Sequence, residues 1–202
     1  MTQPAAHIVD DDEAIRDALD WLLRSRKVPA VTWPSAENFL SDWHKDLRGC
    51  LVLDIRMPGM SGLELFDVLQ SRQCRLPVIF LTGHGDVPLA VAALKKGAYD
   101  FIEKPFDDNV LVDRIIAALA LNAEHLDSLS RNDEIESRLA QLSPREQEVM
   151  AHILAGKFNK VIADELNIAM RTVEVHRSRI FEKMGVRSAV DLAQILAQAR
   201  KR

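Results

Sequence analysis

Short apolar segments alternate with longer stretches of helical spacing along residues 7–119. The segments are rich in branched residues and are bounded by Gly, Pro or Asp, as buried parallel strands are. They lie at residues 7–9, 30–33, 51–53, 78–81 and 101–102. Between them, apolar side chains recur every three or four positions, which predicts amphipathic helices. Five strands that alternate with helices predict an α/β fold with a doubly wound five-stranded parallel sheet.

Residues 142–202 have only helical spacing, and their first helix has a clear start. Ser143 is the expected N-cap, Pro144 occupies the first helical position, and Glu146 follows three residues after the cap. A helix start leaves backbone N–H groups unpaired. The Ser and Glu side chains can accept hydrogen bonds from such groups, and Pro has no N–H group. The first helix of this region is therefore expected to begin at Pro144.

Three more helices are expected behind it. Asn159 is the expected cap of a short helix at 160–166, a third helix covers about 170–184, and a fourth begins near Ser188. Four short helices with a tight turn between the second and the third predict a helix-turn-helix arrangement.

The connecting segment, residues 120–141, contains no Gly or Pro and is acidic. Its leucines and isoleucine have loosely helical spacing, which favours a solvated helical linker or a continuation of the preceding helix that helps to pair two chains. A hinge is a further reading, because Ser, Asn and Asp at residues 128–133 weaken a helix. The expected domains are 1–121, a linker at 122–141, and 142–202.

Charge supports this division. The chain of 202 residues has a net charge of −4, which splits into −5 for residues 1–122, −3 for residues 123–141 and +4 for residues 142–202. A basic domain behind an acidic one suggests two different roles, with the basic domain near nucleic acid or another acidic surface.

Composition excludes some classes. No run of 18 apolar residues and no basic region ahead of an apolar stretch occurs, so we expect neither a membrane span nor a signal peptide. Cys50 and Cys74 are far apart, with no second Cys or His at metal-ligand spacing. They indicate reduced thiols in a cytoplasmic protein.

Polar side chains stand where the predicted strands end. Strand one ends in residues 10–12, all Asp; strand three ends in Asp54, strand four in Thr82, and strand five in Lys104. Ligands bind beyond the carboxyl ends of the strands in such a sheet. Clustered carboxylates require a cation to remain ionised, and Mg²⁺ suits them. Asp54 would then be a nucleophile that forms an aspartyl phosphate, with Lys104 and the metal neutralising its charge.

A lone Asp at a strand end is more often a helix cap or a solvated turn residue, and a lone Lys is more often a surface residue. The joint placement of Asp, Asp, Thr and Lys-Pro at four strand ends favours the site instead.

Four motifs in this region resemble the receiver domain of bacterial two-component response regulators. They are HIVDDD at 7–12, LDIRMPGMSG at 53–62, TGHGD at 82–86 and FIEKPF at 101–106. The resemblance implies a flavodoxin-like strand order, Asp54 as phosphoacceptor, and a cis peptide between Lys104 and Pro105. It implies Mg²⁺ or Mn²⁺ bound by the side chains of Asp10, Asp11 and Asp54 and the backbone carbonyl of Arg56. It also implies that Thr82 and Lys104 contact the phosphoryl group and that Thr82 and Phe101 form the switch.

Other chemistries fit less well. Phosphatases of the haloacid dehalogenase type need a second Asp two residues after the nucleophile, where this chain has Arg56. The sequence lacks a dinucleotide-binding glycine motif after strand one and a Walker A sequence. We therefore expect no enzyme beyond self-phosphorylation and autodephosphorylation at Asp54.

The third helix of the basic region divides into two sides. Val173, Ile180 and Met184 form an apolar stripe, and short, apolar or charged side chains cover the opposite side. A recognition helix needs this division, although an ordinary amphipathic surface helix shows it as well.

The segments LSPREQEVM, GKFNKVIADELNI and RTVEVHRSRIFEKMGVRS resemble the LuxR-type DNA-binding domain. With the receiver they match the NarL/FixJ family of regulators. The resemblance implies DNA-backbone contacts by Lys160, Arg171, Thr172, Arg177 and Arg179, and base-facing positions for Glu174, Val175 and Ser178. Two residues depart from the pattern: Phe158 replaces a small polar residue, and Ala169 replaces the Ser that usually caps the recognition helix.

Taken together, the sequence predicts a cytoplasmic transcription regulator, expected to be an activator, that a sensor histidine kinase phosphorylates. The expected partners are double-stranded promoter DNA, a second copy of the chain when phosphorylated, and RNA polymerase. The candidate pairing face consists of Val91, Leu94, Lys95, Phe101 and Ile102. The alternative is a phosphorylation-controlled interaction or phosphoryl-sink module with weak DNA binding. An acyl-homoserine-lactone receptor would need an aromatic cavity, which 5% aromatic content disfavours.

Overall fold

The computed structural model describes residues 3–83 and 87–199. The chain divides into two compact units, residues 1–125 and residues 126–202. We call them the first and the second unit and describe each by itself.

A parallel sheet forms the centre of the first unit. Its strands are β1 (Ala5–Val9), β2 (Ala30–Trp33), β3 (Gly49–Asp54), β4 (Val78–Thr82) and β5 (Asp100–Glu103). They are parallel and lie in the order β2-β1-β3-β4-β5. The predicted doubly wound sheet and its flavodoxin-like order are confirmed.

Helices follow each strand. They are α1 (Glu13–Ser25), α2 (Ala36–Asp42), α3 (Gly62–Ser71), α4 (Val87–Lys95) and α5 (Asp108–Ala140). Neighbouring strand residues point to opposite faces of a sheet. Leu51, Leu53 and Phe80 accordingly join one buried layer, whereas Val52 and Ile79 join the other. Both faces of the sheet are thus covered, and the acidic residues of its strands, Asp54, Asp100 and Glu103, lie at strand ends.

Helix α5 runs without a break through residues 128–133, where the sequence left a hinge open. Asn122 on this helix is 3% exposed and ties it to the sheet. Its side chain accepts a hydrogen bond from the Gly49 N–H at 2.9 Å and donates one to the Arg75 carbonyl at 3.0 Å.

The second unit contains the end of α5 and four helices. These are α6 (Pro144–Leu154), α7 (Asn159–Leu166), α8 (Met170–Met184) and α9 (Ala189–Ala199). Ser143 and Glu146 form the predicted capping box at the start of α6, with Pro144 at its first position. Residues Val149, Ile162, Val173, Ile180 and Met184, each fully buried, form the centre of the core.

One predicted helix start is wrong by a residue. Asn159 is the first residue of α7 rather than its cap, and Phe158 occupies the N-cap position without a side-chain hydrogen bond. The reason lies in the backbone: the Ile162 N–H bonds to the Phe158 carbonyl at 3.1 Å, so the helical ladder already starts there. Asn167 adopts the left-handed conformation that the tight turn to α8 requires.

Within the described ranges, no helix combines the length and the apolar character that crossing a membrane requires.

Candidate functional site

Two carboxylates and one ammonium group meet at the carboxyl ends of β1, β3 and β5. The Lys104 Nζ donates hydrogen bonds to Asp10 Oδ2 at 2.8 Å and to Asp54 Oδ1 at 2.6 Å. The three residues lie far apart in sequence and share one edge of the sheet because parallel strands end on the same side.

Backbone N–H groups fix both carboxylates. The Asp12 N–H bonds to Asp10 Oδ1 at 2.9 Å, and the Arg56 N–H bonds to Asp54 Oδ2 at 2.8 Å. Each carboxylate therefore has one oxygen on the backbone and the other toward Lys104, and the two side chains have defined orientations before any ligand arrives.

Burial and charge act on this site together. The side chains of Asp10, Asp54 and Lys104 are 2%, 11% and 22% exposed. Desolvation raises the pKa of Asp54 above its usual value, although the hydrogen bond from Lys104 acts against it. Burial alone would lower the pKa of Lys104, but the two hydrogen-bonded carboxylates outweigh it and raise that pKa. Lys104 is therefore a firmly held cation.

Thr82, at the end of β4, is fully buried, and its Oγ1 has no hydrogen-bond partner in the described structure. Buried hydroxyl groups normally have a partner, so such an oxygen marks a place that a ligand oxygen suits. Phe101 is half-buried and packs against the core layer that contains Phe80. The peptide bond between Lys104 and Pro105 is cis, as the resemblance implied.

An open cavity of about 320 Å³ lies over these groups. Its lining consists of Asp10, Asp11, Asp12, Ile15, Asp54, Arg56, Gly83 and Lys104. Asp11 is exposed and lies at the rim of this cavity.

The donor set suits a hard divalent cation. Over residues 3–83 and 87–199, no three His, Cys, Asp or Glu side chains cluster closely enough to form a metal site by themselves. Mg²⁺, however, takes only one or two carboxylates and fills its other positions with carbonyl, water and phosphoryl oxygens. Asp10 and Asp54, both facing one open cavity, therefore fit Mg²⁺.

Asp12 has the ordinary role of an Asp at a strand end, that of a helix cap, which the sequence left open for residues 10–12. Its side chain accepts a hydrogen bond from the Ala14 N–H at 2.9 Å and caps α1. The position just before a helix start was the available signal.

A second candidate surface lies on α8 and the neighbouring α7. Seven of the eight predicted DNA-contact side chains are exposed: Lys160, Arg171, Thr172, Glu174, Val175, Ser178 and Arg179. The eighth, Arg177, is half-buried, with its guanidinium 5.3 Å from the centre of the Phe181 ring. Val173, Ile180 and Met184 are fully buried on the opposite side, so α8 divides as a recognition helix must.

The ends of α8 differ. Ala169 takes the N-cap position without a side-chain hydrogen bond, so the expected loss of a cap is confirmed. At the other end, Gly185 has a φ of 67°, a left-handed conformation that glycine adopts without strain. Arg138 of α5 contacts this second end, although the sequence placed Arg138 in the linker.

Comparison with known families identifies both regions of the chain. The response regulator receiver domain matches residues 6–116, and the luxR family of bacterial regulatory proteins matches residues 140–196. The chain belongs to the two-component response regulators that join a receiver to a LuxR-type DNA-binding domain. This confirms the NarL/FixJ resemblance and the expected class, a transcription regulator. A receiver implies a kinase partner, receivers generally bind Mg²⁺ at the phosphorylation site, and the second domain implies DNA binding.

Individual relatives are similar over nearly the whole length. The C4-dicarboxylate transport transcriptional regulatory protein DctR of Rhodobacter capsulatus is 52% identical over 94% of this chain and 97% of that protein. The transcriptional regulatory protein FixJ of Azorhizobium caulinodans is 44% identical over 94% of this chain and 90% of that protein. The solved structure of the response regulator StyR is 42% identical, with a TM-score of 0.89 over 98% of this chain and 100% of that chain.

Proposed function

We propose that a sensor histidine kinase phosphorylates Asp54, and that this promotes dimerisation and binding to promoter DNA. The observation that carries the proposal is the convergence of Asp10, Asp54 and Lys104 at one open cavity. These groups occur in a chain that also has an exposed, basic α8. Transcription is expected to be activated through RNA polymerase in the cytoplasm.

In the transfer step, an Asp54 carboxylate oxygen attacks the phosphorus of a phosphohistidine. A P–O bond forms, the P–N bond breaks, and the electron pair returns to the leaving imidazole. Water later hydrolyses the acyl phosphate, which restores the carboxylate and releases inorganic phosphate. Self-phosphorylation and this autodephosphorylation are the only chemistry that we assign to the chain.

Lys104 stays protonated and neutralises charge on the phosphoryl oxygens, which its raised pKa supports. We assign Asp10, Asp11, Asp54 and the Arg56 backbone carbonyl to Mg²⁺ or Mn²⁺. The bound cation supplies further neutralisation of charge on the transferring group.

Thr82 and Phe101 are the proposed switch. The unpartnered, buried Thr82 Oγ1 supports the first assignment, because a phosphoryl oxygen on Asp54 would give it a partner. The half-buried position of Phe101 supports the second. Phosphorylation then biases two existing states, and full switching needs about 5.5 kcal/mol of differential stabilisation.

The proposed pairing face retains Val91, Leu94, Lys95 and Phe101, which are exposed or half-buried. The expectation for Ile102 is wrong: it is 8% exposed and packs in the core, because the alternation along β5 turns it inward.

We propose the domain limits 1–121 for the receiver, 122–141 for the linker and 142–202 for DNA binding. Dimerisation would bring two α8 helices to half-sites of a roughly palindromic operator. The proposed backbone contacts are Lys160, Arg171, Thr172, Arg177 and Arg179, and the proposed base-facing residues are Glu174, Val175 and Ser178.

The test is the light-scattering mass of the full chain in Mg²⁺, with and without beryllofluoride as a mimic of the aspartyl phosphate. We expect a monomer that becomes a dimer in the wild type but not in Asp54→Asn. An unchanged wild-type mass would contradict the proposed pairing, and a dimer of the Asn variant would contradict the assignment of Asp54.

A further inference from the structure

Two reciprocal hydrogen bonds join the end of α5 to the end of α8. The Arg138 Nη1 donates to the Met184 carbonyl at 2.7 Å, and the Lys183 Nζ donates to the Gln141 carbonyl at 3.0 Å. We call Arg138, Gln141, Lys183 and Met184 the clamp. Arg138 at the end of α5 and Gln141 just after it are more than 40 residues from Lys183 and Met184 of α8, so local chain geometry does not impose these contacts.

The clamp satisfies a carbonyl group that the helix itself leaves unpaired. The last four carbonyls of any α-helix lack intrahelical partners. The Val186 N–H donates a hydrogen bond to the Phe181 carbonyl at 2.9 Å, and the Gly185 N–H donates one to the Glu182 carbonyl at 3.1 Å. Arg138 donates a hydrogen bond to the Met184 carbonyl, and its positive charge at the C-terminal end of α8 interacts favourably with the helix dipole.

Gly185 leaves the space that Arg138 needs. A Cβ atom at this position would lie 2.5 Å from the Arg138 Nη1, a contact that real Cβ atoms do not make. The backbone also has a φ of +67° there, which disfavours other residues. The backbone conformation therefore selects glycine, and the missing side chain lets the flexible guanidinium group of Arg138 reach the end of α8.

Lys183 extends the clamp to the start of α6. Its Nζ also donates to Glu146 Oε2 at 2.7 Å, and Glu146 belongs to the capping box with Ser143. Below these polar contacts, Ile135 and Leu139 of α5 pack against the core of the second unit. The last turns of α5 are thus joined to α8 by hydrogen bonds and to the core of the second unit by apolar contacts.

We propose that Arg138 is a positioning residue for DNA recognition, because it holds the end of α8 in place. The end of α5 would then contribute to DNA binding. Arg138 lies outside the 140–196 match to the luxR family and outside the expected domain 142–202. The proposal rests on the proposed role of α8 as the recognition helix. Base contacts depend on the orientation of that helix, whereas phosphate contacts mainly depend on charge. Loss of the clamp should therefore reduce sequence discrimination more than general DNA binding.

The test compares full-length Arg138→Met with Arg131→Met. The methionine keeps an unbranched apolar stem but removes the donors, and exposed Arg131 lies on the same helix and matches the change in charge. The probes are the tightest duplex selected from random sequences and a scrambled duplex of equal length, at one fixed salt concentration. Both affinities are measured at a temperature where circular dichroism shows every variant to be folded.

We expect the ratio of the two affinities to fall about tenfold in Arg138→Met, in line with the loss of one charge-assisted hydrogen bond. It should stay at the wild-type value in Arg131→Met. Arg138→Lys keeps a charged donor and should remain within about threefold of the wild type. Amide hydrogen exchange at residues 185 and 186 should be faster in the methionine variant only.

Three results would overturn the inference. An unchanged ratio in folded Arg138→Met would remove the positioning role and leave DNA binding intact. If Arg138→Met does not fold, Arg138→Lys provides the test. Faster amide exchange at residues 185 and 186 in Arg138→Lys, with a wild-type ratio of the two duplex affinities, would also rule out the positioning role. A wild-type chain that does not distinguish the two duplexes would instead overturn the role of α8, so the two failures are distinguishable.

Discussion

Glu146 shows how one carboxylate can join the start of α6 to the end of α8. It is 3% exposed, and it accepts hydrogen bonds from the Ser143 N–H at 2.9 Å and the Lys183 Nζ at 2.7 Å. A buried charge without such partners would strongly destabilise the fold. The hydrogen bond from Lys183, followed by the one from the Ser143 backbone, lowers the pKa of Glu146 to about 2.

This shift predicts a defined acid sensitivity. The unfolded carboxyl group has a pKa of 4.5, so the stabilisation from Glu146 is complete above that pH and is lost as the pH falls toward about 2. Lys183→Met should reduce the free energy of unfolding of the second unit by about 1 to 3 kcal/mol at pH 7 and flatten its dependence between pH 4.5 and 2.

Hydrogen exchange of α6 and α8 amides measures this effect. Tryptophan fluorescence would report on the first unit instead, because all three tryptophans, Trp21, Trp33 and Trp43, lie there. Lys160→Met, a change of equal charge at an exposed position, is the control. Equal acid sensitivity of Lys183→Met and the wild type would refute the assignment.

Residue types at the strand ends were predictable because strand ends in a parallel sheet share one edge. The pairing of Lys104 with both Asp10 and Asp54 was not, since side-chain partners depend on packing that spacing does not encode. Arg138 was missed for a similar reason: Glu134 and Arg138 have the spacing of an ordinary helical ion pair, and they form one at 2.7 Å. Nothing in that pattern indicates the contact with Met184.

At the scale of elements, side-chain caps explain why some helix starts were predicted correctly and one was not. Where a side chain caps a helix, as Ser143 does for α6, the boundary followed from the sequence. Where none does, as at Phe158, the prediction assigned the cap to the nearest suitable side chain, Asn159. Helix α5 is continuous despite its weak residues because Ile135 and Leu139 bury apolar surface on the second core, and packing overrides propensity.

The uncapped start of α8 leads to a stabilising substitution. Ala169 is exposed and has an extended backbone, φ −66° and ψ 145°, which suits a capping serine. Ala169→Ser should let the hydroxyl oxygen accept a hydrogen bond from the N–H of Arg171 or Thr172 and raise the free energy of unfolding by about 1 kcal/mol.

Chemical denaturation followed by hydrogen exchange of α8 amides tests this prediction. Ala155→Ser is the matched control, because Ala155 is an exposed residue at the C-terminal end of α6, where a hydroxyl has no N–H groups to cap. A gain of equal size in both variants would show that the effect is not capping.

On the scale of the whole molecule, each unit has its own core and its own polar surface. The first unit presents carboxylates and one lysine around a cavity, and residues 142–202 carry a net charge of +4. A basic domain binds DNA largely through phosphate contacts, so we expect DNA binding to weaken as salt increases. Chemistry on one unit and binding on the other should therefore respond to different substitutions.

Arg171→Ala should separate the two functions. Removal of this exposed cation from α8 should weaken operator binding by about 10- to 100-fold, because a charged hydrogen bond to phosphate is lost. Phosphorylation of Asp54 should remain at the wild-type rate. Fluorescence anisotropy with labelled duplex and phosphoryl transfer from a radiolabelled donor measure the two quantities.

Arg187→Ala, which removes the same charge from an exposed position beyond α8, is the control for net charge. Full operator affinity in Arg171→Ala, or equal losses in both variants, would contradict the proposed interface.

The attachment of the last turns of α5 to α8 determines where this chain can be cut and rejoined. A hybrid regulator that fuses a foreign receiver at residue 141 would discard Arg138, Ile135 and Leu139, and with them part of the fold behind the recognition surface. A fusion near residue 125, where the compact units meet in sequence, keeps that support. In evolutionary terms, the exchangeable module is longer than the region of family similarity, and recombination within residues 135–141 should produce defective regulators.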